Sequence, residues 1–242
     1  MNISLIGYGK MGREIEQLCI KKGHHIYSIV DPTLGTDLTA LQGTDMAIEF
    51  TQPSAVLSNI AYCLEQGIPL VCGTTGWHES LDKVRQHCTT SKGSLFYSSN
   101  FSIGVNLFWK ISKYMMELLD KYPEYAIGLH EIHHDQKKDS PSGTAVTLAQ
   151  NLVSKSKRYK DWHSSKSFSH TYSESIPISS ERTGVVPGFH KVEFRSVHDK
   201  IELSHDAFSR GGFVAGVVTA AEWLMGKKGF FGMDDLFATD SI

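Results

Sequence analysis

The sequence predicts an α/β protein in two parts: an N-terminal doubly wound parallel sheet, then a C-terminal α+β part whose sheet is mostly antiparallel. Three observations predict it. Apolar runs of strand length alternate with helical runs up to Tyr97, the pattern of a parallel sheet with helices on both faces. A Gly-x-Gly-x-x-Gly turn, Gly7-Tyr8-Gly9-Lys10-Met11-Gly12, stands between the first strand and the first helix. Further on, His190–Phe194 and Lys200–Ser204 alternate with period two across the polar turn Val197-His198-Asp199, which reads as a hairpin.

The 242 residues are 40% hydrophobic and 21% charged, enough to build a core. A net charge of −2 gives no case for nucleic acid or a membrane surface. No apolar stretch approaches the length of a membrane span. Cys19, Cys63, Cys72 and Cys88 lack paired spacing, as expected of reduced thiols in a core. Met1–Ile6 is apolar but has no basic start and runs at once into glycines, so no signal peptide is expected. Together these features predict a cytoplasmic protein.

Asn2–Ile6 is the first strand and Arg13–Ile20 the first helix. Between them Gly7 makes the tight turn, Gly9 lets the backbone approach a pyrophosphate, and Gly12 lets the helix pack closely on the strand. That is the fingerprint of a Rossmann-like dinucleotide site. Gly23 ends the helix and His25–Val30 is the second strand. Asp31 stands at its end, nineteen residues past Gly12 (31 − 12), where the fingerprint expects an acid for the ribose hydroxyls. The same aspartate can also cap the turn before Pro32. Met46–Phe50 is the third strand, followed by a helix over Pro53–Gln66. Leu70–Cys72 then runs into Gly73-Thr74-Thr75-Gly76, and Leu95–Tyr97 into Ser98-Ser99-Asn100-Phe101-Ser102. Both polar turns fall at C-terminal strand ends, where ligands sit on such sheets.

Val105–Tyr122 is a long helix. Its Leu107, Phe108, Ile111, Met115, Leu118, Leu119 and Tyr122 keep helical spacing and are expected in the core. The dinucleotide part is expected to cover 1–101 and to be completed by 211–242, which carries a helix over Phe213–Met225. Residues 102–210 make the second part. Within it, 155–180 are polar and Ser-rich and read as an excursion with little core, a mobile loop or an assembly arm.

The chemistry concentrates in Glu131-Ile132-His133-His134-Asp135-Gln136-Lys137-Lys138-Asp139-Ser140-Pro141-Ser142-Gly143-Thr144-Ala145. Tyr125–Leu129 before it reads as a strand, and Thr144–Ala149 after it as a helix. The histidines therefore stand at a strand end, and Ser142-Gly143-Thr144 opens a helix, whose free N–H groups can hold a carboxylate or phosphate. Lys137 adds positive charge, and a histidine there can give or take a proton near neutral pH. His130-Glu131-Ile132-His133-His134 also fits the His-Glu-x-x-His zinc pattern. That pattern needs a helix, whereas on a strand positions i and i+4 lie roughly 13 Å apart.

Glu131, His133-His134, Lys137, Asp139 and Pro141-Ser142-Gly143-Thr144-Ala145 closely resemble the signature of the dihydrodipicolinate reductase family, and the resemblance runs from Gly7 to Leu224. It implies an oxidoreductase of lysine and diaminopimelate biosynthesis that reduces 4-hydroxy-tetrahydrodipicolinate, by way of dihydrodipicolinate, to tetrahydrodipicolinate with NADH or NADPH. It implies His133 as proton donor with Lys137 assisting, and His134, Lys137, Ser142, Gly143 and Thr144 as the groups that hold the dicarboxylate. It implies Gly73, Thr75 and Phe101 at the nicotinamide, in addition to Gly7, Gly9, Lys10, Met11, Gly12 and Asp31 along the cofactor. A homotetramer is implied, and no metal, since the cofactor carries the hydride chemistry. Asp31 is followed by Pro32 and Thr33, with no arginine to meet a 2′-phosphate, so NADH is expected to serve at least as well as NADPH. Lys10 is the cation that works against that preference. Two departures touch the substrate loop. Phe189 stands where relatives often carry an acid, and Arg182-Thr183-Gly184 replaces a more glycine-rich run. A dinucleotide sensor that binds without turnover also fits the glycine fingerprint. The His-His-x-x-Lys string argues against it, because a sensor needs no proton donor.

Overall fold

The computed structural model describes residues 1–169 and 174–238. The chain divides into two compact units, Met1–Ile103 with Gly211–Ile242, and Gly104–Arg210. Among the described residues no helix is long and apolar enough to cross a membrane.

The first unit holds strands β1 (Asn2–Ile6), β2 (His25–Val30), β3 (Met46–Glu49), β4 (Leu70–Cys72) and β5 (Ser94–Tyr97), with helices α1 (Lys10–Lys21), α2 (Pro53–Glu65) and α3 (Leu81–Thr90). All its pairings are parallel, and a late strand over Gly229–Phe231 joins the edge beside β5. β1, β3, β4 and β5 are almost wholly buried, because both faces are covered, while the edge strand β2 is partly exposed. Ile15 and Cys19 of α1 pack on one face with Val214, Val217 and Leu224 of the helix Gly211–Leu224. Val56, Ile60 and Leu64 of α2 pack on the other with Val84 and Cys88 of α3. The four cysteines are free and buried, as their spacing suggested. α3 was not read from the sequence, although Leu81, Val84 and Cys88 give it a thin apolar stripe.

The glycine turn explains itself by contact. Gly7 has φ +94°, and a Cβ there would lie 2.1 Å from the Phe50 carbonyl oxygen. A Cβ on Gly12 would lie 2.4 Å from the Gly7 carbonyl oxygen. α1 starts at Lys10, so Gly12 sits in its first turn and not before it.

The second unit is built on α4 (Ile103–Leu119), β6 (Ala126–His133), α5 (Gly143–Val153), β7 (Asp161–Ser165), β8 (Ser175–Arg182), β9 (Gly188–Arg195) and β10 (Lys200–Ala207). With these named, the C-terminal segment supplies α6 (Gly211–Leu224), β11 (Gly229–Phe231) and α7 (Met233–Leu236) to the first unit. The second sheet has the order β10-β9-β6-β8-β7. β10–β9 is the expected hairpin and β9–β6 is antiparallel, while β6–β8 and β8–β7 are parallel. The sheet is therefore mixed, not mostly antiparallel.

Two further expectations are corrected. The stretch 155–180 is not poor in core: Tyr159, Ile176 and Ile178 are fully buried, and β8 lies between β6 and β7. Pro177 inside Ser-Ile-Pro-Ile-Ser masks the strand, since proline argues against a central position. Residues 170–173 of that stretch lie outside the described residues. In α4 the buried apolar positions are Val105, Phe108 and Met116, whereas Leu107, Ile111, Leu118 and Tyr122 are exposed by 40–53%. The helix carries apolar residues on more than one side, and spacing alone cannot tell which side the chain covers.

Gly216 in α6 approaches the loop after β5 so closely that a Cβ would lie 1.7 Å from the Phe101 carbonyl oxygen. Gly216→Ala is expected to destabilise the protein by about 1–3 kcal/mol or more, read as a lower denaturant midpoint. An unchanged midpoint would show that α6 does not rest on that carbonyl.

Candidate active site

In the first unit, clefts run along the C-terminal ends of the parallel strands. One of about 440 Å³ is lined by Gly7, Gly9, Asp31 and Thr51. It shares Gly9, Phe50 and Thr51 with a cleft of about 390 Å³ that adds Lys10, Met11, Gly73 and Thr75. That cleft shares Met11, Phe50 and Gly73 with a smaller one of about 140 Å³ that reaches Asn100 and Phe101. One trough thus brings together Gly7, Gly9, Lys10, Met11, Asp31, Gly73, Thr75 and Phe101. Gly12 packs behind it. A Cβ on Gly9 would meet nothing within 4 Å, so the turn opens onto free space.

Asp31 is fixed before any ligand arrives. Its Oδ1 accepts from the Thr33 hydroxyl at 2.6 Å and the Thr33 N–H at 2.9 Å, and its Oδ2 from the Tyr8 N–H at 3.0 Å. These bonds hold its carboxyl below the usual range, Thr33 contributing most. Arg13 lies 4.7 Å over the Tyr8 ring and adds its charge to the field at Asp31. The sequence reading did not place this arginine beside Asp31.

A buried carboxylate underlies the trough. Glu49, at the end of β3, is fully buried and accepts from Thr51 Oγ1, from Asn59 Nδ2 at 3.3 Å and from Cys72 Sγ at 3.2 Å. The Thr51 N–H in turn donates to Thr74 Oγ1 at 2.8 Å. This network ties together the turns that follow β3 and β4. The sequence signal for it was a charge inside the apolar strand Met-Ala-Ile-Glu-Phe.

In the second unit β6 continues through His133, so Glu131 and His133 share one face of the strand. The neighbouring strands bring His190 of β9 opposite Glu131 and Arg182 of β8 opposite His133. Glu131 Oε2 lies 2.5 Å from His133 Nδ1, a close contact without an aligned hydrogen bond. Glu131 Oε1 accepts from Arg182 at 2.9 Å and from the Ser142 N–H at 3.2 Å. Burial pushes the Glu131 carboxyl up, but His133, Arg182 and Ser142 outweigh it and hold the group far below the usual range. The His190 ring stands edge-on to His133, centroids 5.0 Å apart, with its Nε2 3.3 Å from Ser142 Oγ. Neither Arg182 nor His190 was assigned a role from sequence. Arg182 opens the run noted there as a departure, and His190 follows Phe189, the other departure.

The other expected residues fall around this pair. Ser142 is the N-cap of α5, its Oγ accepting from the Ala145 N–H at 3.2 Å. Gly143 and Thr144 are the first residues of that helix. His134 and Lys137 form the turn after β6, joined by Lys137 N–H to His134 carbonyl at 3.1 Å. Lys137 Nζ lies 2.8 Å from Asp139 Oδ1. His130 points to the other face, its Nδ1 2.7 Å from Ser179 Oγ. The zinc pattern therefore has no helix to display it. Glu131, His133 and His190 do present possible ligand atoms within 4.8 Å of one another. Arg182, already paired with Glu131, places a permanent positive charge there that opposes a metal ion.

A family model described as Dihydrodipicolinate reductase, N-terminus, matches residues 1–101, and one described as Dihydrodipicolinate reductase, C-terminus, matches 104–237. The chain is 40% identical over 239 residues to the 4-hydroxy-tetrahydrodipicolinate reductase of Christiangramia forsetii, covering 98% of both chains. It is 33% identical over 250 residues to that of Archaeoglobus fulgidus, covering 94% of this chain and 95% of the relative. Among solved structures, a dipicolinate-bound dihydrodipicolinate reductase from Paenisporosarcina sp. TG-14 has the same fold. Its TM-score is 0.82 at 23% identity, over 98% of this chain and 99% of that one.

Burial pushes the His190 imidazole down to about 3, helped by the neighbouring His133. His130 and His205 are lowered in the same direction by burial. In the unfolded chain a histidine titrates near ~6.5. Between those values the unfolded chain binds more protons than the folded one, so stability falls as pH falls. His190 alone should cost about 2–3 kcal/mol between pH 6.5 and 4.5. Denaturant unfolding at both pH values should show a smaller acid loss in His190→Gln than in the wild type. An equal loss would mean that His190 is not held neutral.

Proposed function

The chain belongs to the dihydrodipicolinate reductase family, and we propose that it reduces 4-hydroxy-tetrahydrodipicolinate, through its dehydrated form, to tetrahydrodipicolinate in lysine biosynthesis. The observation that carries the reading is the Glu131–His133 pair. A buried carboxylate lies against one ring nitrogen, and in this reading the other, Nε2, beside Gly188, meets the substrate. That is the arrangement of an oriented acid–base histidine. A dinucleotide sensor would have no use for it.

In this reading residues 1–101 with 211–242 bind the cofactor, and 102–210 bind the substrate. The nicotinamide supplies a hydride when bound. Gly7 and Gly9 leave room for the pyrophosphate at the start of α1, and Asp31 meets the ribose hydroxyls. Lys10, Met11, Gly73, Thr75 and Phe101 line the trough further along. His133 gives a proton to the ring carbon, with Lys137 assisting. His134, Lys137 and the start of α5 at Ser142, Gly143 and Thr144 hold the two carboxylates. The Ser142 N–H and hydroxyl are already engaged, so its part is to fix the helix start. The exposed stripe Leu107, Ile111, Tyr114 and Leu118 on α4 supports assembly of copies, in keeping with a homotetramer. A cytoplasmic location goes with free buried cysteines.

The deciding assay is loss of absorbance at the reduced nicotinamide band when purified protein meets synthase-generated substrate. His133→Ala should lose about a hundredfold to ten-thousandfold in turnover, while NADH affinity stays within about fewfold. Near wild-type turnover would remove His133 from the role. For cofactor choice, Asp31 repels a 2′-phosphate, while Lys10 and Arg13 soften that repulsion. NADH should have a kcat/KM at least equal to that of NADPH. A strong preference for NADPH in the same assay would sink the Asp31 reading.

A further inference from the structure

At the start of α5 the chain already holds a carboxylate of its own. Asp139 Oδ1 lies 2.8 Å from Lys137 Nζ. The Lys137 ammonium, above all, holds the Asp139 carboxyl below its usual range. The Asp139 backbone is fixed separately. Its carbonyl oxygen accepts from Arg182 at 2.5 Å, and Arg182 is tied to Glu131 at 2.9 Å. The Asp139 side chain is 55% exposed, against 23% for Lys137. An anchored backbone thus carries a half-exposed carboxylate that can turn away without disturbing the chain beneath it.

Lys137 is a group that the proposed function gives to a substrate carboxylate, and the inference rests on that reading. We propose that Asp139 is an internal stand-in for the substrate carboxylate, held by Lys137 until an entering dicarboxylate displaces it. A displaceable contact has to be weak, and an ion pair this exposed is weak. The consequence is a penalty on binding. An entering ligand must offer a carboxylate that Lys137 prefers to Asp139, and every ligand that uses Lys137 meets the same cost of displacing it. Asp139 is in these terms an autoinhibitory residue that acts through Lys137.

Pyridine-2,6-dicarboxylate and pyridine-2-carboxylate, titrated calorimetrically into the full chain with and without NADH, test this. Asp139→Asn removes the charge but keeps the carbonyl bonded to Arg182. It should bind the dicarboxylate roughly three- to tenfold more tightly than wild type. The monocarboxylate should gain by about the same factor, because its carboxylate displaces the same aspartate. The KM for substrate should fall in parallel. Asp139→Glu, which keeps a negative charge within reach of Lys137, should gain less. Lys137→Ala should bind the dicarboxylate more weakly than wild type. If Asp139→Asn binds equally or more weakly while Lys137→Ala is weakened, Asp139 orients the lysine and the stand-in is wrong. If Lys137→Ala binds as wild type does, the carboxylate grip itself is elsewhere and both readings fall.

Discussion

A carboxylate taken wholly out of water costs several kcal/mol unless it is paired and hydrogen-bonded, and Glu131 has no exposure at all. Its oxygens are met from three directions: Arg182 across the sheet, His133 two residues along the strand, and the Ser142 N–H at the start of α5. Each partner comes from a different piece of chain, so the charge can be satisfied only when β6, β8 and the head of α5 stand together. Removing one partner of such a group leaves a buried charge uncompensated, which costs about 3–5 kcal/mol. The site residues therefore help to hold the second unit together, and are not merely mounted on it.

The sheet supplies the accuracy. Cross-strand neighbours lie about 4.5–5.5 Å apart, and β6 has a neighbour on each side. The registers His133↔Arg182 and Glu131↔His190 therefore fix these four side chains on neighbouring strands. A slip of one residue would turn His133 to the opposite face, where His130 already sits against Ser179. A helix would have placed His130 and His134 together instead. The strand therefore pairs Glu131 with His133 and separates the residues of the zinc pattern.

Parts of this were legible because they are local. The turn Gly7 to Gly12 declares itself by glycines at fixed offsets. Ser142-Gly143-Thr144 declares a helix start, and His133 follows an apolar run. Arg182 and His190 were not legible as site residues. Each reaches the site only through pairing with β6, at a sequence separation no periodicity reports. β8 itself was hidden by Pro177 and its serines. The apolar stripe of α4 was overread for the opposite reason: spacing shows that a face is apolar, but not what covers it. Glu49 and Glu131 share the one signal that could have exposed both, an acid set in a strand otherwise destined for the interior.

That shared signal points to a common device. Both carboxylates stand at the C-terminal end of a central parallel or mixed strand, and both tie down the chain that leaves it. Glu49 is met by neutral donors alone, Thr51, Asn59 and Cys72, and the turns it fixes line a cleft. Glu131 is met by a guanidinium and an imidazole, and its second oxygen is turned toward the histidine to which we assign proton transfer. The difference follows from task. A wall needs only to be held in place, and neutral hydrogen bonds do that without adding charge. A proton donor needs a neighbouring negative charge to favour its cationic form, and the guanidinium lets that negative charge stay buried beside it.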